Sequence, residues 1–167
     1  EGELVYGGDG SLLEGRQIEG RMPLSEVTAR NIVAVIEGSD SELKNEAIYI
    51  SAYYEAISPV PALAPGAEQA SSAAALLEIA RQLKENDHRR TVVLLWTAGH
   101  FQNLTGMRHL TPLLLAAAGR RDMQTVSQKD RVLAQRLSAF QIRFAVGLDL
   151  SMQSRLAGIF RPGFPLS

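Results

Sequence analysis

The chain has 167 residues, the length of one ordinary domain, and at 46% hydrophobic and 21% charged it carries enough apolar material for a core, which excludes a disordered or collagenous protein. Seventeen Lys and Arg against eighteen Asp and Glu leave a formal net charge of -1, so there is no basic excess to hold phosphate backbones and no nucleic-acid partner is expected. The absence of Cys excludes disulfides, thiolate catalysis and Cys-based zinc sites, and no apolar run approaches the ~18 to 20 residues of a transmembrane segment.

Leu4 to Gly10 predicts a short strand running into a tight glycine turn. Asn31 to Glu37 and Ala47 to Tyr53 are β-branched and aromatic runs expected to be strands, with the polar stretch Gly38 to Asn45 as a loop or hairpin turn. Pro59, Pro61 and Pro65 make Ser58 to Gly66 an irregular loop, because proline can sustain neither a ladder nor a helix interior. From Ala70 to about Lys84 the period becomes 3.6, with Leu76, Ile79, Ala80 and Leu83 on one face. Asn86 to Arg90 ends that helix, its cations placed where the dipole favours them.

Thr91 to Thr97 is apolar almost throughout, the signature of a strand buried on both faces. A helical stretch from about Leu104 is expected to break or kink at Pro112 and to close at Gly119. Ser127 to Ala139 is amphipathic through Val132, Leu133, Arg136 and Leu137, with Lys129 and Asp130 outward and the leucine side expected in the core. Phe140 to Leu150 and Leu156 to Phe160 are the remaining expected strands, before a turn-rich tail at Arg161 to Pro165. Alternating strands and helices predict an α/β sandwich, whose sites form in loops beyond the strand C-termini. The loops after Tyr53, Thr97 and Leu148 are therefore the ones to carry function.

Those loops hold Tyr53, Tyr54 and Glu55; Ala98, Gly99, His100, Phe101 and Gln102; and Leu148, Asp149, Leu150 and Ser151. Gly66, Ala67, Glu68 and Gln69 head the first long helix. From about Thr28 to Phe160 the order of segments resembles the catalytic domain of the zinc-dependent aminopeptidase and glutamate carboxypeptidase superfamily, the two-zinc exopeptidases. The matching segments are Asn31-Ile32-Val33-Ala34, Pro65-Gly66-Ala67, Ala74 with Leu76 to Arg81, Arg90-Thr91-Val92, Gly106-Met107-Arg108-His109 and Leu148-Asp149-Leu150. The resemblance implies a three-layer sandwich with a central mixed, largely parallel sheet over residues 28–167, a domain expected to be incomplete at its C-terminus. Residues 1–27, with Glu1 to Tyr6 and Ile18 to Arg21, resemble a remnant or edge of the protease-associated segment often joined to this domain. An exported parent protein is the corresponding expectation.

The departures from the family pattern fall on its chemistry. In active members a His-x-Asp follows the second of these strands, and here Tyr53 stands in the His place and Glu55 in the Asp place. The bridging Asp after Pro-Gly-Ala is replaced by Glu68, and the Glu-Glu pair of general base and ligand by Gly99 and His100. Asp149 alone matches a ligand position unchanged. Two-metal hydrolysis needs a bridging carboxylate, several N/O ligands and a base for the metal-bound water. Gly99 has no side chain to serve as base, and a phenol is a poor ligand beside neutral imidazole.

The first reading is a catalytically silent domain, with no cofactor expected, acting as a structural or binding module for a peptide or protein. The second is a working metal-dependent exopeptidase with a rearranged site of Glu68, His100 and Asp149 around zinc, with Glu55 or a residue outside this sequence as base. A pocket that binds a peptide terminus without cleaving it is the third. Blander roles stand beside these: Glu68 complements a helix N-terminus, His100 sits at a solvent edge, His88 and His109 are surface residues, and Tyr53 and Tyr54 fill or flank the vacated pocket. The Ser41-x-x-Lys44 spacing and the Asn103-Leu104-Thr105 acceptor pattern lack supporting context.

Overall fold

The structure is a computed structural model that describes residues 28–57 and 66–150, with the side chains of 66–69 excluded. Residues 1–27 and the expected strand at 156–160 lie outside the described residues. The elements are β1 (Ile32–Ile36), β2 (Glu46–Tyr53), α1 (Gly66–Glu85), β3 (Thr91–Thr97), α2 (Thr105–Ala117), α3 (Gln128–Leu137) and β4 (Gln141–Gly147), with single 3-10 turns at Leu43–Asn45 and Met123–Thr125. The sheet order is β1-β3-β2-β4; β1 runs antiparallel to β3, whereas β2 is parallel to both β3 and β4.

Alternation along the strands divides the core in two. Val92, Leu94 and Trp96 of β3, with Ala52 of β2, pack against Leu76, Ile79, Ala80 and Leu83 of α1, the face that helical periodicity assigns inward. The Trp96 indole N–H donates to the Ala73 carbonyl at 3.2 Å and ties α1 to the sheet. Ala47, Tyr49, Val93 and Leu95 point the other way, onto Leu113, Ala116 and Ala117 of α2 and Ala134 and Leu137 of α3. Helices on both faces of a mixed sheet make the three-layer α/β sandwich. β3 is buried along its whole length, as its continuous apolar run requires.

Four expectations need correction. α2 runs through Pro112 without a break. The lost hydrogen bond is outweighed because Leu110, Leu113, Ala116 and Ala117 on both sides of the proline are buried. On α3 the inward face is Leu133, Ala134 and Leu137, while Val132 is 74% exposed. Asp130 does not face solvent freely; it accepts from the Ser127 hydroxyl and lies 3.5 Å from His109 Nε2. β4 is also shorter than expected, because its backbone leaves the ladder at Gly147.

The motif segments have a structural reason. Asn31 at the head of β1 accepts from the Ala98 amide at 3.1 Å and donates to the Gly106 carbonyl at 2.9 Å, while the Gly106 amide donates to Ala98 O at 2.8 Å. The start of α2 is thus pressed onto the end of β3. A Cβ on Gly106 would lie 2.1 Å from Ala98 O and 2.5 Å from Asn31 Oδ1, closer than any real contact. Gly106→Ala is expected to cost about 2 kcal/mol or more of stability by denaturant unfolding; a change within about 0.5 kcal/mol would show that this junction tolerates a side chain.

Tyr49 lies in the core at 4% exposure, and its hydroxyl has no hydrogen-bond partner among the described residues. Burial pushes its pKa up from 10.0 to about 12. The folded state therefore holds this proton more tightly than the unfolded chain, so the associated stability is intact below pH 10 and is lost as pH rises toward 12. Tyr49→Phe removes the unsatisfied hydroxyl. It is expected to be neutral or stabilising by about 1 kcal/mol at pH 7 and to flatten stability between pH 10 and 12, both read from denaturant midpoints. A marked loss at pH 7 would mean that the hydroxyl has a partner.

Candidate functional site

β2 leads into α1 on one face of the sheet, and its neighbour β3 leads into α2 on the other. The C-terminal ends of these two strands are thus a topological switch point, where a crevice opens between loops that diverge. That crevice is about 280 Å³ and is lined by Tyr53, His100, Leu104, Met107, Leu148 and Asp149 among others. A larger cleft of about 810 Å³ lies at the opposite end of the sheet, around Leu114, Leu115, Phe140 and Ile142, away from the predicted site residues.

Strand register decides which residues meet there. Tyr53 pairs with Thr97 across β2 and β3, so Glu55 and Gly99, each two residues further, come level. Across β2 and β4, Ser51 pairs with Gly147, which brings Tyr53 level with Asp149. This second alignment depends on a bulge: Ala47 and Ile48 are opposed by Ile142 and Phe144, leaving Arg143 as the extra residue. Arg143 turns its guanidinium onto Glu46 at 2.6 Å, where Arg90 also binds at 2.7 Å. The two guanidinium groups hold the Glu46 carboxyl below the usual carboxylate range.

Tyr53 is the hub of the crevice. Its phenol donates to Asp149 Oδ1 at 3.2 Å, and its ring stacks on His100 at 3.9 Å between centroids and 21° between planes. Phe101 stands edge-on to both rings, at 5.6 Å from Tyr53 and 5.0 Å from His100. Tyr53 is 5% exposed and lines the crevice, whereas the Tyr54 hydroxyl donates to the Arg30 carbonyl. Asp149 is positioned from its flanks: the Leu148 amide donates to Ser51 O at 2.8 Å, and the Leu150 amide to the buried Ser72 hydroxyl at 2.8 Å.

Glu55 is held by backbone. Its two carboxylate oxygens accept the amides of Gly99 at 2.5 Å and His100 at 2.6 Å. Gly99 adopts φ +67°, a left-handed conformation that glycine enters without penalty, and a Cβ there would lie 3.0 Å from Thr105 Cβ. Glu68 falls in the first turn of α1, and its side chain lies outside the described residues. Of the proposed metal trio, His100 and Asp149 both contact Tyr53. His109 is half-exposed on α2, as expected of a surface residue, whereas His88 has its Nε2 buried without a partner among the described residues.

Of the donors that the resemblance implies for zinc, the Tyr53 and Glu55 side chains have partners within the protein. Among the described residues no three His, Asp or Glu side chains are grouped to hold a metal ion. The Tyr53 phenol donates its proton to Asp149, and the Glu55 oxygens face amide donors. Sequence reasoning singled out Tyr53, Glu55, Gly99, His100 and Asp149 but missed Asn31, Ser72 and Phe101 as parts of the same assembly. Asn31 carried a signal, since it opens a family-like segment, and Phe101 lies in a loop already marked for function; Ser72 had none. No helix among the described residues is long and apolar enough to cross a membrane.

Among curated proteins and among solved structures, none matches the chain. The model of peptidase family M28, a zinc-dependent aminopeptidase and carboxypeptidase-like family, matches residues 31–143, well over half of the sequence. The match spans β1 to the bulge of β4 and includes the ends of β2 and β3. This chain belongs to peptidase family M28.

Proposed function

We propose that this M28 domain does not hydrolyse peptides and serves as a structural or binding module of a larger, exported protein. The observation that carries this reading is the state of the loop after β3. Where the active pattern has a general base followed by a ligand, Gly99 offers no side chain, and its amide, with that of His100, binds Glu55. A base for a metal-bound water must be a carboxylate or imidazole free to accept its proton. Glu55 is the nearest substitute in the second reading, and both its oxygens already accept hydrogen bonds from the main chain. The crevice beside it has apolar walls from Leu104, Met107 and Leu148, suited to recognition of a small apolar group. Export and membership of a larger protein rest on the likeness of residues 1–27 to a protease-associated segment.

Metal content of the dialysed full chain, measured together with hydrolysis of aminoacyl chromogenic substrates, tests the reading. The expected result is no turnover above the blank, with or without added zinc. Zinc retained in stoichiometric amount, with turnover that disappears in Glu68→Ala, would overturn it and establish the rearranged metallopeptidase instead.

A further inference from the structure

Glu55 has a partnership that neither hydrolysis nor simple solvation requires. The level register of β2 and β3 brings it beside Gly99, and each of its oxygens takes one backbone N–H. Successive amides turned to one side by a left-handed residue form a concavity that selects anions, and Gly99 at φ +67° provides that turn. The two donors match the two oxygens of a carboxylate, so the chemistry they select is a carboxylate group.

The segment beyond these amides forms one side of the crevice. His100 and Leu104 line it together with Leu148 and Asp149, and the His100 ring lies on Tyr53. Asn103 and Leu104 have φ of 58° and 54°, a region unfavourable to residues with side chains, so the segment needs anchoring from outside itself. The Glu55 carboxylate supplies an anchor from the neighbouring strand end.

We infer that the amides of Gly99 and His100 form a carboxylate-binding site that the chain fills with its own Glu55, and that this internal ligand holds residues 99–104 against the crevice. The inference shares the Glu55 contacts with the proposed function and adds no hydrolytic step, so amide protection tests it and turnover tests that reading. Glu55→Ala deletes the atoms that acetate would replace, which makes acetate the probe. In the full chain labelled with 15N, hydrogen exchange at the Gly99 and His100 amides is expected to accelerate at least tenfold in Glu55→Ala, while Val93 and Leu94 of β3 keep their rates. Added acetate is then expected to restore protection and to shift both amide resonances in a saturable way, and chloride at equal ionic strength is not.

Glu55→Gln is the second variant, for use if the alanine variant does not fold. Its side-chain amide keeps one acceptor and turns an NH2 toward the other donor, so one of the two backbone amides is expected to lose protection. Unchanged exchange at both amides in either variant would overturn the inference. So would an alanine variant that exposes both amides but shows no saturable response to acetate.

Discussion

The level alignment of three parallel strand ends is the constraint on which the rest depends. β3, β2 and β4 finish side by side, and their registers set Thr97, Tyr53 and Asp149 in one row. The main-chain ladder fixes that row without reference to any site chemistry. Side chains at the row, and at Glu55 and Gly99 two residues further, then have few choices of neighbour. The bulge at Arg143 is part of the same constraint. A ladder without it would carry Leu148 rather than Asp149 to the level of Tyr53, and the phenol would face an apolar side chain. The surplus residue is itself anchored through Glu46, so the offset at the far end of β4 is held by an ion-paired cluster with Arg90.

A second group of contacts keeps the ends of these strands in place whatever occupies the crevice. Asn31 and Gly106 join β1, β3 and α2 at the root of the loop after β3, and Ser72 joins α1 to the segment after β4. These contacts use backbone groups and small or amide side chains, and they make no demand on a metal or a base. They explain how family-like segments can persist independently of the chemistry of that loop. Asn31 and Gly106 belong to the framework; Tyr53, Glu55, Gly99 and His100 belong to the site.

Much of the framework was legible in the sequence because its signals are local. Seven consecutive residues of continuous apolar character marked β3, and the 3.6 period at Leu76, Ile79, Ala80 and Leu83 marked the inward face of α1. Features set by partners were harder to read. Pro112 predicts a break by its own chemistry, yet burial on both sides of it decides the outcome. Val132 continues the apolar pattern of α3 but falls outside the stripe that the sheet covers. The residues of the site were identifiable as a set, but not their pairings. The stack of Tyr53 on His100 depends on register between strands more than forty positions apart in the chain, and a bulge leaves no compositional mark. Glu55 was weighed as a base because a sequence shows side chains, whereas its partners are two main-chain amides.

The residues at these strand ends also constrain one another. Glutamate at position 99 would have to adopt the left-handed conformation that Gly99 occupies, with its Cβ at 3.0 Å from Thr105, or else rotate the backbone. Rotation would withdraw the Gly99 amide from Glu55 and disturb the alignment of His100 on Tyr53. Histidine at position 53 would in turn lack the phenolic hydroxyl that reaches Asp149. Each of these residues therefore makes sense in the presence of the others: a left-handed glycine turns two amides to one side, the Glu55 carboxylate accepts both, and the imidazole beyond them stacks on the phenol. That mutual dependence is what a stable alternative arrangement of the same strand ends requires.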